Sequence, residues 1–279
     1  MEQTTFTTEN RVLPCYYISH GGPPLVLNHD DKAYNFLKSW GEKILNEIKP
    51  KAIVVISAHW ETDDTIKVGS FDNTTPIIYD YYGFPDKMYK LKYHSKGSPE
   101  LAKKIVDLLN ESKIKSEIEN KRGLDHGCWI PLKIAIPDPK DLPIIQVSLK
   151  RHASYDFHIK VGKALASLRK QGVLIIGSGS LIHNLRDMNI HNMFSLAPYS
   201  QPFEKDVDSY VTNFVGNERE QKLIKDLSSH PLLRKAHPTD DHLVPLHCAV
   251  GSAGSDPGRK IYEELISSLS MGVYEFAKN

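Results

Sequence analysis

The run Ala52-Ile53-Val54-Val55-Ile56-Ser57-Ala58-His59-Trp60 sets the fold class. Residues 52–57 are apolar and rich in β-branched side chains up to the closing Ser57, without the polar alternation of a half-solvated strand. They therefore read as a strand covered on both faces. Runs of the same kind stand at residues 12–18, 144–149 and 173–176. Between the first two, residues 31–49 place Ala33, Phe36, Leu37, Trp40, Ile44 and Ile48 at helical spacing, as a crossover helix requires. Ser98-Pro99-Glu100 supplies a cap, a first-turn proline and a first-turn acid ahead of Leu101, Ile105, Val106 and Leu109. Further helices are expected at residues 157–169, 203–215 and about 240–250. Strands and helices alternate, so the class is α/β.

Outward from that core, the 279 residues show no repeat and no long Pro/Gly/Ser linker, so one domain over residues 1–279 is expected. Residues 1–11 are polar and read as a flexible N-terminus. The chain is 40% hydrophobic and 25% charged, which suits a globular protein with a sizeable core. A formal net charge of +1 provides no field for polyanions, so nucleic acid is not an expected partner. Cys15, Cys128 and Cys248 lie far apart without a C-x-x-C pair, which argues against a disulfide framework or a thiolate zinc site. No apolar run approaches the ~20 residues of a membrane span and no cationic leader is visible, so a cytoplasmic location is expected.

Histidines recur where these strands end. His20 follows the first strand in Ile18-Ser19-His20-Gly21-Gly22, His59 follows the second, and His183 comes soon after the run at 173–176. In open α/β sheets, residues just past the carboxyl ends of strands converge on ligands, and neutral imidazole is the commonest metal ligand. A single histidine at such a place is more often a solvated or capping residue; three together favour a site. His242, in His237-Pro238-Thr239-Asp240-Asp241-His242, is a fourth candidate. Thr239 can cap a helix that holds it, or Pro245 can mark that helix's start; His237 is its rival. His126 lies in Gly123-Leu124-Asp125-His126-Gly127, where Asp125 is placed to orient a neighbouring imidazole. Gly177-Ser178-Gly179-Ser180 lacks the lysine and spacing of a phosphate loop. Residues 71–89 are dense in aromatic side chains, with Tyr79, Tyr81, Tyr82, Phe84 and Tyr89.

The order of these motifs resembles one family, the LigB-type class III extradiol dioxygenases, in their 4,5-DOPA dioxygenase-like branch. The resemblance runs through Ser19-His20-Gly21, Ser57-Ala58-His59-Trp60, Tyr82-Gly83-Phe84-Pro85, Gly97-Ser98-Pro99, Leu124-Asp125-His126-Gly127 and Ile182-His183-Asn184 to Pro238-Thr239 with His242 and Pro245-Leu246. It implies a central mixed sheet flanked by helices, with one divalent metal ion, Zn(II) or Fe(II), at the strand ends. His20, His59, His183 and His242 match its metal positions, His183 matching either a ligand or a nearby base. His126 matches its acid/base histidine, and Tyr82 and Phe84 fall where a catechol substrate would be covered. The implied reaction opens a catechol such as DOPA with O2, outside the diol, to a muconate semialdehyde. The wider superfamily uses two histidines and a carboxylate, whereas the last position here is His242, and this leaves the metal open between iron and zinc. The alternatives are a zinc hydrolase on the same histidines and a non-catalytic, Memo-type binding protein.

Overall fold

The structure, a computed structural model, describes residues 11–278. The expected flexible stretch at 1–11 therefore lies, apart from Arg11, outside the described residues. In chain order the elements are β1 (Cys15–Ser19), α1 (Lys32–Lys43), β2 (Ala52–Thr62), β3 (Ile66–Gly69), β4 (Thr74–Thr75), β5 (Ser95–Lys96), α2 (Pro99–Glu111), β6 (Ser116–Glu119) and α3 (His126–Ala135). Then follow β7 (Ile144–Lys150), α4 (Tyr155–Leu165), β8 (Val173–Gly179), α5 (Ser200–Thr212), α6 (Gly216–Gln221), α7 (Leu233–Ala236), α8 (Val244–Ala253), β9 (Gly258–Tyr262), β10 (Leu265–Ile266), β11 (Leu269–Ser270) and β12 (Val273–Phe276).

Eight strands form one sheet in the order β6-β3-β7-β2-β8-β1-β12-β9. Its centre, β7-β2-β8-β1, is parallel, while β3 on β7 and the C-terminal pair β12 and β9 run antiparallel, so the sheet is mixed. Alternation along β2 divides the core: Val54 and Ile56 pack on the side of α2, α4, α5 and α8, and Ile53 and Val55 on the side of α1 and α3. Helices thus cover both faces, as the continuously apolar strands require. Among the described residues no helix is long and apolar enough to cross a membrane.

The expected elements at 31–49, 98–109 and 157–169 are present, the first and third finishing in a π turn and a 3-10 turn. Ser98 caps α2 as its sequence suggests, accepting from the Leu101 amide. Two boundaries differ in ways that matter. β2 does not stop at Ser57 but continues to Thr62, its register on β7 shifting between Ile56 and Glu61, so His59 lies within an irregular part of the strand. Such a bulge re-aims side chains beside a site. The last long helix begins at Val244 with Pro245 in its first turn, so His242 sits in the preceding turn and Thr239 is not its cap.

Candidate metal centre

His20, at the end of β1, is tied to β8 by its backbone N–H on Gly179 O at 3.0 Å. Its ring Nδ1 meets Ser178 Oγ at 3.0 Å, and that hydroxyl gives its own proton to Gly127 O at 2.5 Å. With one proton already donated, Ser178 accepts from His20 Nδ1–H, which leaves the Nε2 lone pair facing the cleft. His242 Nδ1 lies 2.5 Å from Asp241 Oδ2, so the same tautomer follows there. Of the two adjacent acids, Asp241 is the one behind this ring. Asp240 is spent on Tyr155 and Arg234.

His59 Nε2 stands 3.0 Å from His20 Nε2, and one ring nitrogen from each of His20, His59 and His242 lies within 4.8 Å of the other two. Burial first, and the mutual repulsion of the imidazoles second, hold His20 and His242 well below the ordinary histidine range and His59 down to about 3. All three are neutral at pH 7, the state in which imidazole binds a metal. Two nitrogens ~2.1 Å from one ion stand ~3.0 Å apart at a right angle and ~3.4 Å apart at the tetrahedral angle. The donor set therefore fits a divalent ion in its chemistry, and the His20–His59 separation matches two nitrogens on one such ion.

Glycines let this set close. A Cβ on Gly179 would lie 2.1 Å from His242 O, and one on Gly177 2.2 Å from Pro245 O, so the end of β8 admits the turn that carries His242. A Cβ on Gly127 would meet Ser57 Oγ at 2.7 Å, His59 Cδ2 at 2.9 Å and His20 Cε1 at 3.2 Å.

His126 opens α3, a helix that the sequence pattern does not announce. Its ring centroid is 3.9 Å from that of His59 and 5.5 Å from that of His20. Its partner is not Asp125, which instead caps α3 through the Cys128 amide and accepts from Ser57 and Gln146. Asp80 holds it twice, with Oδ1 accepting from the backbone N–H at 2.8 Å and Oδ2 facing Nδ1 at 2.9 Å. Burial pushes the Asp80 carboxyl up, but its bonds and charge contact with His126 outweigh that and hold it below its usual range. Asp80 was not singled out from sequence; its one signal was an acid inside the aromatic stretch 79–84.

The remaining candidates separate. His183 lies flat on His242, with ring centroids 3.5 Å apart at 7°, and is not among the converging nitrogens. In-plane lone pairs of parallel rings do not meet at a point, so this geometry does not offer it as a fourth ligand. His237 is buried, with Nε2 on Leu181 O at 2.8 Å, away from the set. Tyr82 is 92% exposed, whereas the ring adjoining His126, at 6.0 Å, is that of Tyr81, on which Phe84 packs at 5.6 Å.

The profile of the family described as catalytic LigB subunit of aromatic ring-opening dioxygenase matches residues 14–275. A 4,5-DOPA dioxygenase extradiol of Beta vulgaris is 39% identical over 273 residues, covering 96% of this chain and 98% of its own. A 4,5-DOPA dioxygenase extradiol of Escherichia coli K12 is 33% identical, over 88% of this chain and 87% of its own. The crystal structure of an uncharacterized protein of the same organism superposes with a TM-score of 0.79 at 28% identity, covering 95% of this chain and all of that one.

Proposed function

The chain belongs to the LigB family of metal-dependent aromatic ring-opening dioxygenases, and from that premise we propose that it cleaves a catechol of the DOPA type at a single ion held by His20, His59 and His242. The observation that carries this reading is the meeting of three neutral imidazoles beside a fourth, His126, whose tautomer is fixed by Asp80. A bound redox-active ion supplies adjacent positions for catechol and dioxygen and a path for electrons between them. The same three-histidine set suits zinc geometrically, but zinc has no redox cycle, so Fe(II) is the ion assigned to turnover.

The chain's own part is positioning and proton movement. With its Nδ1–H given to Asp80, His126 presents an Nε2 lone pair that takes a phenolic proton and later returns it. Asp80 stabilises the imidazolium while it lasts. Tyr81, backed by Phe84, Tyr89 and Trp129, forms the apolar wall next to His126 and keeps water from that proton. His183, lying on His242, braces that ring and serves as a second proton holder rather than a ligand. Tyr82 is assigned to the rim.

Protein reconstituted anaerobically with Fe(II) is expected to consume oxygen on addition of DOPA and to form a yellow semialdehyde, while zinc-loaded protein stays inert. Equal activity with both metals, or loss of neither metal in His59→Ala and His242→Ala, refutes the assignment.

A further inference from the structure

A cavity of about 410 Å³ opens beside His59, lined by Trp60, Glu61, Arg122, Arg151 and Asp241. This is the volume of a small-molecule site, yet four of its side chains are charged, two of each sign. Their neighbours show which charges are committed. Arg122 donates to His59 O at 2.8 Å and to Gly123 O at 3.2 Å, and its guanidinium lies over Trp60 at 5.1 Å. Asp241 holds His242. Both of these secure the metal ligands. Arg151 and Glu61 do not: Arg151 bonds Asp63 through one nitrogen at 3.1 Å and forms an ion pair with Glu61, Nε to Oε2 3.6 Å, longer than a hydrogen bond. This ion pair lines the cavity and still leaves guanidinium donors and carboxylate lone pairs unused by hydrogen bonds within it.

Both sit close to the metal site: Glu61 follows His59 by two residues on β2 and lines the same cavity, as does Arg151. On the ring-cleavage reading, a catechol with its hydroxyls at the histidines and its ring turned towards Glu61 would reach this cavity, which His59 itself lines, with its side chain. Resting on the ring-cleavage reading, we propose that the cavity is a head-group site for an α-amino acid. Arg151 takes the carboxylate and Glu61 the ammonium of a catechol with a zwitterionic side chain. A purely anionic head meets Glu61 and Asp241, and a purely cationic one meets Arg151, so either alone is disfavoured.

The test uses iron-loaded full-length protein and four catechols: DOPA, dopamine without the carboxylate, dihydrocaffeate without the ammonium, and methylcatechol without either. Oxygen uptake gives kcat/KM, and anaerobic calorimetry gives binding. For wild type, DOPA is expected to exceed the other three by about tenfold or more, the scale of one charge-assisted hydrogen bond. Arg151→Gln is expected to lower the DOPA-to-dopamine ratio about tenfold, and Glu61→Gln the DOPA-to-dihydrocaffeate ratio similarly, mainly through KM. Loss that is equal across all four substrates, or no loss, overturns the head-group site. If no catechol consumes oxygen but DOPA binding is selective and weakened by Arg151→Gln, the ring-cleavage reading falls and the site stands. If DOPA and methylcatechol are cleaved with equal kcat/KM, the site falls and the reading stands.

Discussion

Asp80→Asn isolates the proton chemistry from the metal chemistry. In the native site Oδ1 accepts from the His126 amide at 2.8 Å and Oδ2 faces Nδ1 at 2.9 Å. An asparagine of the same shape keeps its oxygen on the backbone N–H, which turns its amide nitrogen towards His126 Nδ1. Two donors then face each other, and the ring relieves this by moving its proton to Nε2. That tautomer cannot accept from a phenol. The pair is mostly buried, with side-chain exposures of 9% for His126 and 18% for Asp80, so the lost bond is charge-assisted in a poorly solvated place. Such a bond contributes ~1.5–3 kcal/mol, and ~1.4 kcal/mol is tenfold in rate, so kcat is expected to fall roughly 10- to 100-fold. Oxygen uptake at saturating catechol measures this, alongside metal content by elemental analysis and circular dichroism. The metal should remain at one per chain. A kcat within about twofold of wild type, or a fall that merely tracks metal loss, refutes the role given to Asp80.

Other outcomes follow from the same geometry. His126→Ala should retain the ion and lose about 10²- to 10⁴-fold in turnover; full activity removes it from the mechanism. His183→Gln should retain stoichiometric metal with reduced turnover, and metal loss in that variant would make His183 a ligand after all. Gly127→Ala introduces a methyl 2.9 Å from the His59 ring and should weaken metal binding about tenfold or more, at a stability cost of ~1–3 kcal/mol; unchanged affinity by competitive chelation contradicts the packing described. Burial drives His158 and His237 down to about 4, below the ~6.5 of an unfolded chain. The unfolded state therefore binds more protons as pH falls. The stability from keeping these rings neutral is intact above ~6.5 and erodes towards 4, by about 2 kcal/mol per ring at pH 5. Chemical denaturation of metal-free protein between pH 8 and pH 5 should show this, with a shallower dependence in His158→Gln; a flat profile contradicts it.

What could be read from sequence was what repeats locally. The central strands carry unbroken β-branched runs because helices cover both their faces, so β2, β7 and β8 announce themselves. Helix α3 does not: nearly every residue from His126 to Ala135 is buried, and Pro131 lies inside it, so no polar face marks a period. The outer strands β3 and β6 and the C-terminal β9 and β12 are short and lack the long apolar run of the central strands. His20 and His242 could be picked out because the end of β1 and the turn before α8 face one cleft, whereas His59, read as a strand-end residue, joins them from within β2 where its register shifts.

The groups that tune those histidines obey no such rule. Asp80 reaches His126 across 46 residues, Ser178 reaches His20 across 158, and neither distance corresponds to a helical or strand repeat. Asp125 shows how neighbourhood misleads: it adjoins His126 in sequence, yet as the cap of α3 it must turn to the Cys128 amide and away from the imidazole that follows it. Tyr81 and Tyr82 repeat the point. Consecutive residues in an extended loop face opposite ways, and which of them meets His126 was set by packing against Trp129 and Tyr89, partners fixed only once the chain has folded. The histidine cluster is thus encoded largely by where the parallel strands and the turn before α8 come together, whereas the hydrogen bonds that set its tautomers are encoded by contacts between distant segments. Substitutions at Ser178, Asp80 and Asp241 should accordingly change reactivity while leaving the fold in place.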